Sequence, residues 1–343
     1  MGEIGDNAIN IMKNIIIISC AAILLMTSFV MAEEQSGGYS GSYMKLSVEA
    51  RPAAMGGAYF AISDDAAGQL YNPAGVAASR DRIFTSSYRA MSLDRSMGFV
   101  SYVMPTRKES SLGFSWQFVG SGSVDVRNRN GGYMGMSLSS NEHIFAVNFA
   151  KQFLPSLAFG AKLNYYLKGG GTIDFDEGVL YDLNTSSIGI NLGAMLYVDS
   201  LFEYGTMEGK PINDIKVGLV FDNMAARYNW SSNEDLGLIA APEDVFPIIA
   251  GIGLSFRTFQ RNLLVAVDFE KVEKRPLAIK FGGEYKYNNK FALRTGLDDG
   301  IITAGLGYQF DMGENNYLEF DYAFSNARVE EGSDHLFGFH FRF

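Results

Sequence analysis

Cysteine is nearly missing from this sequence: Cys20 is the only one among 343 residues, and it falls inside the N-terminal apolar run. If that run is removed, the mature chain has no thiol, which excludes disulfides, cysteine-ligated zinc and thiol catalysis. Basic residues are also short. Lys and Arg total 28 against 38 Asp and Glu, for a net charge of −10 and a pI near 4.9. No nucleic-acid partner is expected, because binding phosphates needs a basic face. The three histidines, His143, His335 and His340, lie in no metal-ligand spacing, so neither a metal nor a cofactor is expected. Gly-x-Ser-x-Gly, Walker and Gly-x-Gly-x-x-Gly motifs are all absent, and the chain reads as not an enzyme. Past the N-terminus no stretch approaches 18 apolar residues, which excludes helical membrane spans.

What is present begins with a targeting segment. Lys13 precedes the apolar run Ile15–Met26, then small residues to Ala32, then Glu33-Glu34. A basic residue, an apolar core and Val30 and Ala32 before the cut describe a secretory signal removed after residue 32. Met12 is a plausible initiator, since the residues before it are acidic for a signal. An uncleaved anchor helix and a lipoprotein box ending at Cys20 fit less well. The run is short for a span, and Cys20 sits in the middle of the apolar core.

Beyond residue 80 the chain alternates. Leu277, Ile279, Phe281, Tyr285 and Tyr287 interleave with Lys280, Glu284 and Lys286, and Phe320, Tyr322 and Phe324 interleave with Glu319 and Asp321. In the last segment Phe337, Phe339, Phe341 and Phe343 share one face, with Leu336, Gly338, His340 and Arg342 on the other. A soluble β-sandwich also alternates. Here, however, the apolar face is heavily aromatic and the polar face carries full charges, as a wet lumen tolerates. Aromatics are 13% and glycines number 38, yet mean hydropathy is only +0.02, as when a lipid face is hidden in alternation.

Strands are predicted near 83–91, 96–104, 111–119, 143–153, 157–168, 187–198, 214–223, 248–257, 262–271, 277–287, 290–297, 301–310, 317–325 and 335–343. The fold class is therefore all-β: a transmembrane antiparallel β-barrel of about 14 strands, an even number as such barrels use. Short turns at one end alternate with long loops at the other, the longest at Gly120–Glu142, Gly169–Ser186 and Met224–Pro247. Residues 1–32 are assigned to the signal peptide, 33–80 to an extension and hatch, and 81–343 to the barrel.

Residues 43–78 do not alternate, and small residues dominate 53–61, as a segment packed against other backbone requires. Ala50-Arg51, Ala54-Met55-Gly56-Gly57-Ala58-Tyr59, Asp64-Asp65 and Tyr71-Asn72-Pro73-Ala74-Gly75 resemble the opening of the PorV/PorQ family, relatives of the FadL long-chain fatty-acid transporters. The resemblance implies a 14-stranded barrel with an N-terminal hatch in its lumen, located in the cell outer membrane. It implies one of two jobs: transport of hydrophobic, fatty-acid-like molecules, or delivery of secreted proteins in type IX secretion. A purely structural barrel is a third possibility, and a hydrolase assembled from separate strands, as in outer-membrane phospholipases, a weaker one.

The candidate hatch and gating residues are Arg51, Met55, Gly56, Gly57, Asp64, Asp65, Asn72, Pro73 and Gly75, which could equally serve only to anchor the segment. A buried Arg51 requires an acidic lumen partner. Asp268, Glu270, Lys280, Glu284, Glu319, Asp321 and Arg342 form a candidate lumen charge ladder, with Asp268 and Lys280 facing across strands. Phe339, Phe341 and Phe343 resemble the terminal signal read by barrel-assembly machinery. Expected partners are outer-membrane lipid, that machinery, a fatty-acid-like ligand, and a secretion component or secreted protein. The acidic run 174–177 could hold calcium but reads better as a solvated loop.

Overall fold

The structure is a computed structural model. It describes residues 40–128, 130–170, 172–175, 179–182, 184–202, 210–229, 243–273, 275–313, 316–326 and 332–343. The predicted signal peptide and the residues around Cys20 lie outside these, as does half of the acidic run at 174–177.

Alternation with period 2 puts successive side chains on opposite faces of a strand, and the chain uses this fourteen times over. Its first five strands are β1 (Ile83–Ala90), β2 (Ser96–Thr106), β3 (Ser110–Arg127), β4 (Tyr133–Leu154) and β5 (Leu157–Gly169). A small ribbon of β6 (Thr172–Phe175) and β7 (Val179–Asp182) follows, then β8 (Thr185–Tyr197) and β9 (Asn213–Met224). A second ribbon is formed by β10 (Arg227–Asn229) and β11 (Glu243–Val245). The wall resumes with β12 (Ile249–Thr258), β13 (Leu263–Val272), β14 (Leu277–Tyr287), β15 (Phe291–Asp298), β16 (Ile301–Gly313), β17 (Asn316–Asn326) and β18 (Ser333–Arg342). Leaving the two ribbons aside, each wall strand pairs antiparallel with its neighbours, and β18 closes on β1 from Ile83↔Arg342 to Ala90↔His335. The result is a closed barrel of 14 strands, which leaves no unpaired edge.

Turn chemistry fits the connections. Asp299-Gly300 are the two residues between paired Asp298 and Ile301, and both have positive φ, the primed turn whose twist matches a two-residue hairpin; Asn288-Asn289, with positive φ at both, open the three-residue connection between Tyr287 and Phe291. One predicted loop is corrected: most of Gly120–Glu142 is strand. β3 and β4 stay paired as far as Arg127↔Tyr133, with register shifts between Gly120 and Ser123 and between Asp125 and Arg127. Turn and polar residues there look like loop in sequence, but a ribbon whose two faces both meet water has no apolar face to display.

The barrel is apolar outside and polar inside. Phe114, Trp116, Phe145, Phe159, Tyr165, Phe281 and Phe320 are exposed, whereas Asn148, Lys162, Asp268, Lys280, Glu284, Arg294 and Asp321 are buried. A soluble sandwich would show the reverse, so this is the pattern of a barrel solvated by lipid. Phe337 and Phe343 are exposed on the outer face of β18, with Phe339 and Phe341 half-buried on the same face.

Candidate functional site

Residues 40–79 run inside the ring of strands. Helix α1 (Ala50–Ala54) is wholly buried, with Glu49 as its N-cap, and packs its alanines against Ala323 and Leu336 of the wall. The small residues explain the fit. Gly56 and Gly57 have φ of 62° and 72°, and a Cβ on Gly56 would lie 2.6 Å from the Leu297 backbone nitrogen. Wall glycines answer in kind: Cβ atoms added at Gly193, Gly218 or Gly296 would strike Asn72, Phe60 or Gly56 within about 2.2 Å of an inner-segment atom.

Arg51 organises this segment. Its Nε donates to Glu284 Oε2 at 2.8 Å, and Nη1 to Asp64 Oδ1 at 2.7 Å and to Asp65 Oδ2 at 2.9 Å. Tyr59 OH also bonds to Asp65 Oδ2, and Asp65 Oδ1 accepts from Gly68 N to cap the next turn. Burial alone would raise the Asp64 carboxyl, but the Arg51 guanidinium, helped by Lys216 and Arg257, holds it well below the usual carboxylate range. Asn72 ties the segment to the opposite wall. Its Nδ2 donates to Phe60 O and Ala194 O, and its Oδ1 accepts from Ala74 N, the local bond that makes Asn-Pro a turn. Pro73 and Gly75 follow in that turn, with Pro73 O accepting from Asn148 Nδ2 at 3.1 Å. Met55 is fully buried among inner-segment residues and Leu264.

The lumen charges pair with one another across strands and with the inner segment. Asp268 does face Lys280 across the strands. However, its carboxylate accepts from Tyr59 N and Phe60 N of the inner segment, and Lys280 Nζ pairs with Glu270 at 2.8 Å. Backbone N–H groups left unpaired by an irregular segment need acceptors, and Asp268 supplies one. Arg294 of β15, paired in register beside Glu284 of β14, joins Glu284, Glu319 (2.7 Å) and Asp321. Gly307 leaves it room: a Cβ there would lie 2.7 Å from Arg294 Nη1. Arg342 stays half-buried at the short-turn end, its Nη2 donating to Asp64 O at 3.4 Å.

Two cavities lie on either side of the segment. At the short-turn end a polar space of about 190 Å³ is lined by Arg51, Asp64, Glu319, His340 and Arg342. Toward the long-loop end a chamber of about 100 Å³ lies between the inner segment and the wall. Its apolar side is Met44, Leu46, Val48, Phe60, Leu70 and Ile144; its polar side includes Lys162, Asn164, Asn191 and Asp222. Asp222 Oδ1 is buried there without a hydrogen-bond partner, although Lys162 attracts it electrostatically. Tyr166 borders this chamber and stacks with Phe246 at 4.7 Å between ring centroids. Sequence alternation gave no sign of the chamber, because most of its apolar side comes from the non-alternating segment, with Ile144 added from β4.

No protein-family model matches the chain, and no curated protein matches it either. Solved structures do. The toluene transporter TodX of Pseudomonas putida aligns over 85% of this chain and 96% of its own, at 14% identity and a TM-score of 0.56. A FadL homologue of Pseudomonas aeruginosa aligns over 86% and 98%, at 12% identity and 0.54. CymD, a monoaromatic hydrocarbon channel, aligns over 87% and 97%, at 14% identity and 0.50.

The fold is that of the FadL-type barrels. At these identities the likeness is one of fold alone, and none of the matches supports the narrower PorV/PorQ assignment.

Proposed function

We propose that this protein sits in the bacterial outer membrane and passes small hydrophobic molecules across it. The chamber between the inner segment and the wall, apolar on the segment side and set inside a barrel shaped like hydrocarbon channels, supports this passage. A space of about 100 Å³ is of the order that holds a single ring, about 150 Å³ for benzene, and is far short of a long acyl chain, so the fatty-acid-like expectation narrows to compact apolar molecules. The inner segment separates this chamber from the polar cavity, so passage requires the segment to move. That is the gating role for Arg51, Asp65 and Asn72, which hold it in place. The exposed Phe337 and Phe343, with Phe339 and Phe341, would serve recognition by barrel-assembly machinery.

The test is binding. The full chain is produced with its own leader in a bacterial host, purified from membranes in detergent, and titrated with toluene and with oleate. Toluene is expected to bind, and Ile144→Trp, which fills the chamber, should weaken binding at least about tenfold, or ~1.4 kcal/mol. Toluene binding unchanged in Ile144→Trp would place the ligand elsewhere. No binding of either compound would sink the transport reading.

A further inference from the structure

Glu49, Asp321 and His340 meet at a point that ion pairing alone does not explain. Glu49 comes from the inner segment, Asp321 from β17 and His340 from β18, and all three are buried. One donor atom of each lies within 4.8 Å of the other two. His340 Nε2 is 3.0 Å from Glu49 Oε1 and 3.1 Å from Asp321 Oδ2. A single imidazole N–H cannot serve both oxygens well, and Asp321 Oδ2 is left buried without a hydrogen bond. An orphaned carboxylate oxygen in such a place is costly.

The outward-facing atom of each group is already held. Glu49 Oε2 accepts from Arg51 N at 3.0 Å, Asp321 Oδ1 accepts from Arg294, and His340 Nδ1 lies 2.8 Å from Thr85 Oγ1. With Nδ1–H donating to Thr85, the Nε2 lone pair faces the two carboxylates. Three converging donors, each oriented by a bond on its far side, is how metal ligands are supported. Gly338 keeps the space open: a Cβ there would lie 2.7 Å from Glu49 Oε1.

We propose that Glu49, Asp321 and His340 bind one divalent cation of the zinc or manganese kind, fastening the inner segment to the wall. Two carboxylates and an imidazole suit such ions and not soft ones. Tetrahedral zinc with ligands at roughly 2.0–2.1 Å needs donor–donor edges of about 3.3 Å, and the two edges at His340, 3.0 and 3.1 Å, need lengthen by only a few tenths of an ångström. His340 also borders the polar cavity at the short-turn end, which gives an access route and room for water as a further ligand. Spacing could not reveal this site, since its ligands stand at positions 49, 321 and 340.

The test is metal content. The purified full chain is dialysed against zinc or manganese and then against metal-free buffer. Elemental analysis is restricted to the fraction whose heat-dependent gel shift reports a folded barrel. About one ion per chain is expected, with affinity at least about tenfold lower in His340→Gln and Asp321→Asn. Zinc should raise the Tm of the wild type, and a chelator should reverse this. X-ray absorption of the zinc-loaded wild type should show one imidazole among oxygen ligands, a readout that stands even if the variants fail to fold. Wild type that holds no ion at saturating zinc and manganese, variants that bind as the wild type does, or a zinc shell without imidazole would each overturn the proposal. The cluster would then be a buried imidazolium between two carboxylates.

Discussion

Arg51→Met is expected to release the inner segment from the wall while the barrel itself stays closed. The substitution keeps much of the side chain's length but strands Glu284, Asp64 and Asp65, which Arg51 binds at 2.7–2.9 Å. Removing one partner of a buried ion pair costs about 3–5 kcal/mol, because the remaining charges are left uncompensated. Glu284 retains Arg294 at 2.7 Å, so the loss falls mainly on the segment carrying Asp64 and Asp65. Limited proteolysis of the folded protein measures it: cleavage within residues 45–75 should be rapid in the variant and slow in the wild type. Arg51→Lys should recover only part of the protection, since an ammonium cannot reproduce the forked contacts.

The Asp64 carboxyl is held below its unfolded value by Arg51, so its contribution is present above the ordinary carboxylate range and is lost as pH falls through the folded value. Asp64 is a third exposed, so solvent screens part of the effect. Wild type should therefore resist proteolysis until the medium is strongly acidic, whereas Arg51→Met is cleaved at neutral pH. Equal protection of variant and wild type at neutral pH would show that Arg51 does not hold the segment.

Gly56→Ala is expected to dislodge the inner segment from the wall. The added methyl meets Leu297 N at 2.6 Å and Phe281 O at 2.7 Å, both backbone atoms that cannot swing aside, and φ of 62° strains any residue with a Cβ. Strain and overpacking together cost roughly 2–4 kcal/mol. The segment should lift away from β14 and β15, seen as a lower Tm and faster proteolysis. Gly283→Ala on β14 is the control, because a Cβ there meets nothing within 4 Å. If both substitutions behave alike, close backbone approach is not what seats the segment.

The barrel was readable in the sequence because its rule is local. All fourteen predicted strands correspond to wall strands, since an apolar face such as Phe337 to Phe343 must face lipid and its alternate residues the lumen. Where alternation stopped serving one dry face, as in the β3–β4 ribbon, strand was mistaken for loop. The inner segment stood out by what it lacked, alternation and bulk, and its glycines at 56 and 57 showed close packing. Its partners were less legible. That Arg51 needs a carboxylate is a local inference. That the carboxylates are Asp64, Asp65 and Glu284, that Asp268 caps the segment's backbone and not Lys280, and that Glu49 meets His340 all depend on which strands close around it. The same holds for the chamber, which joins residue 46 to residue 222.

Passage of compact hydrophobic molecules is read directly by uptake. Bacterial cells displaying the wild-type barrel, Ile144→Trp at matched surface amounts, or no barrel are given radiolabelled toluene, and the initial rate of uptake is recorded. The rate is expected to be several-fold faster with the wild-type barrel than without it, and to fall in Ile144→Trp to that of cells that lack the barrel. Equal rates in all three, with folded barrel present at the surface, would contradict it.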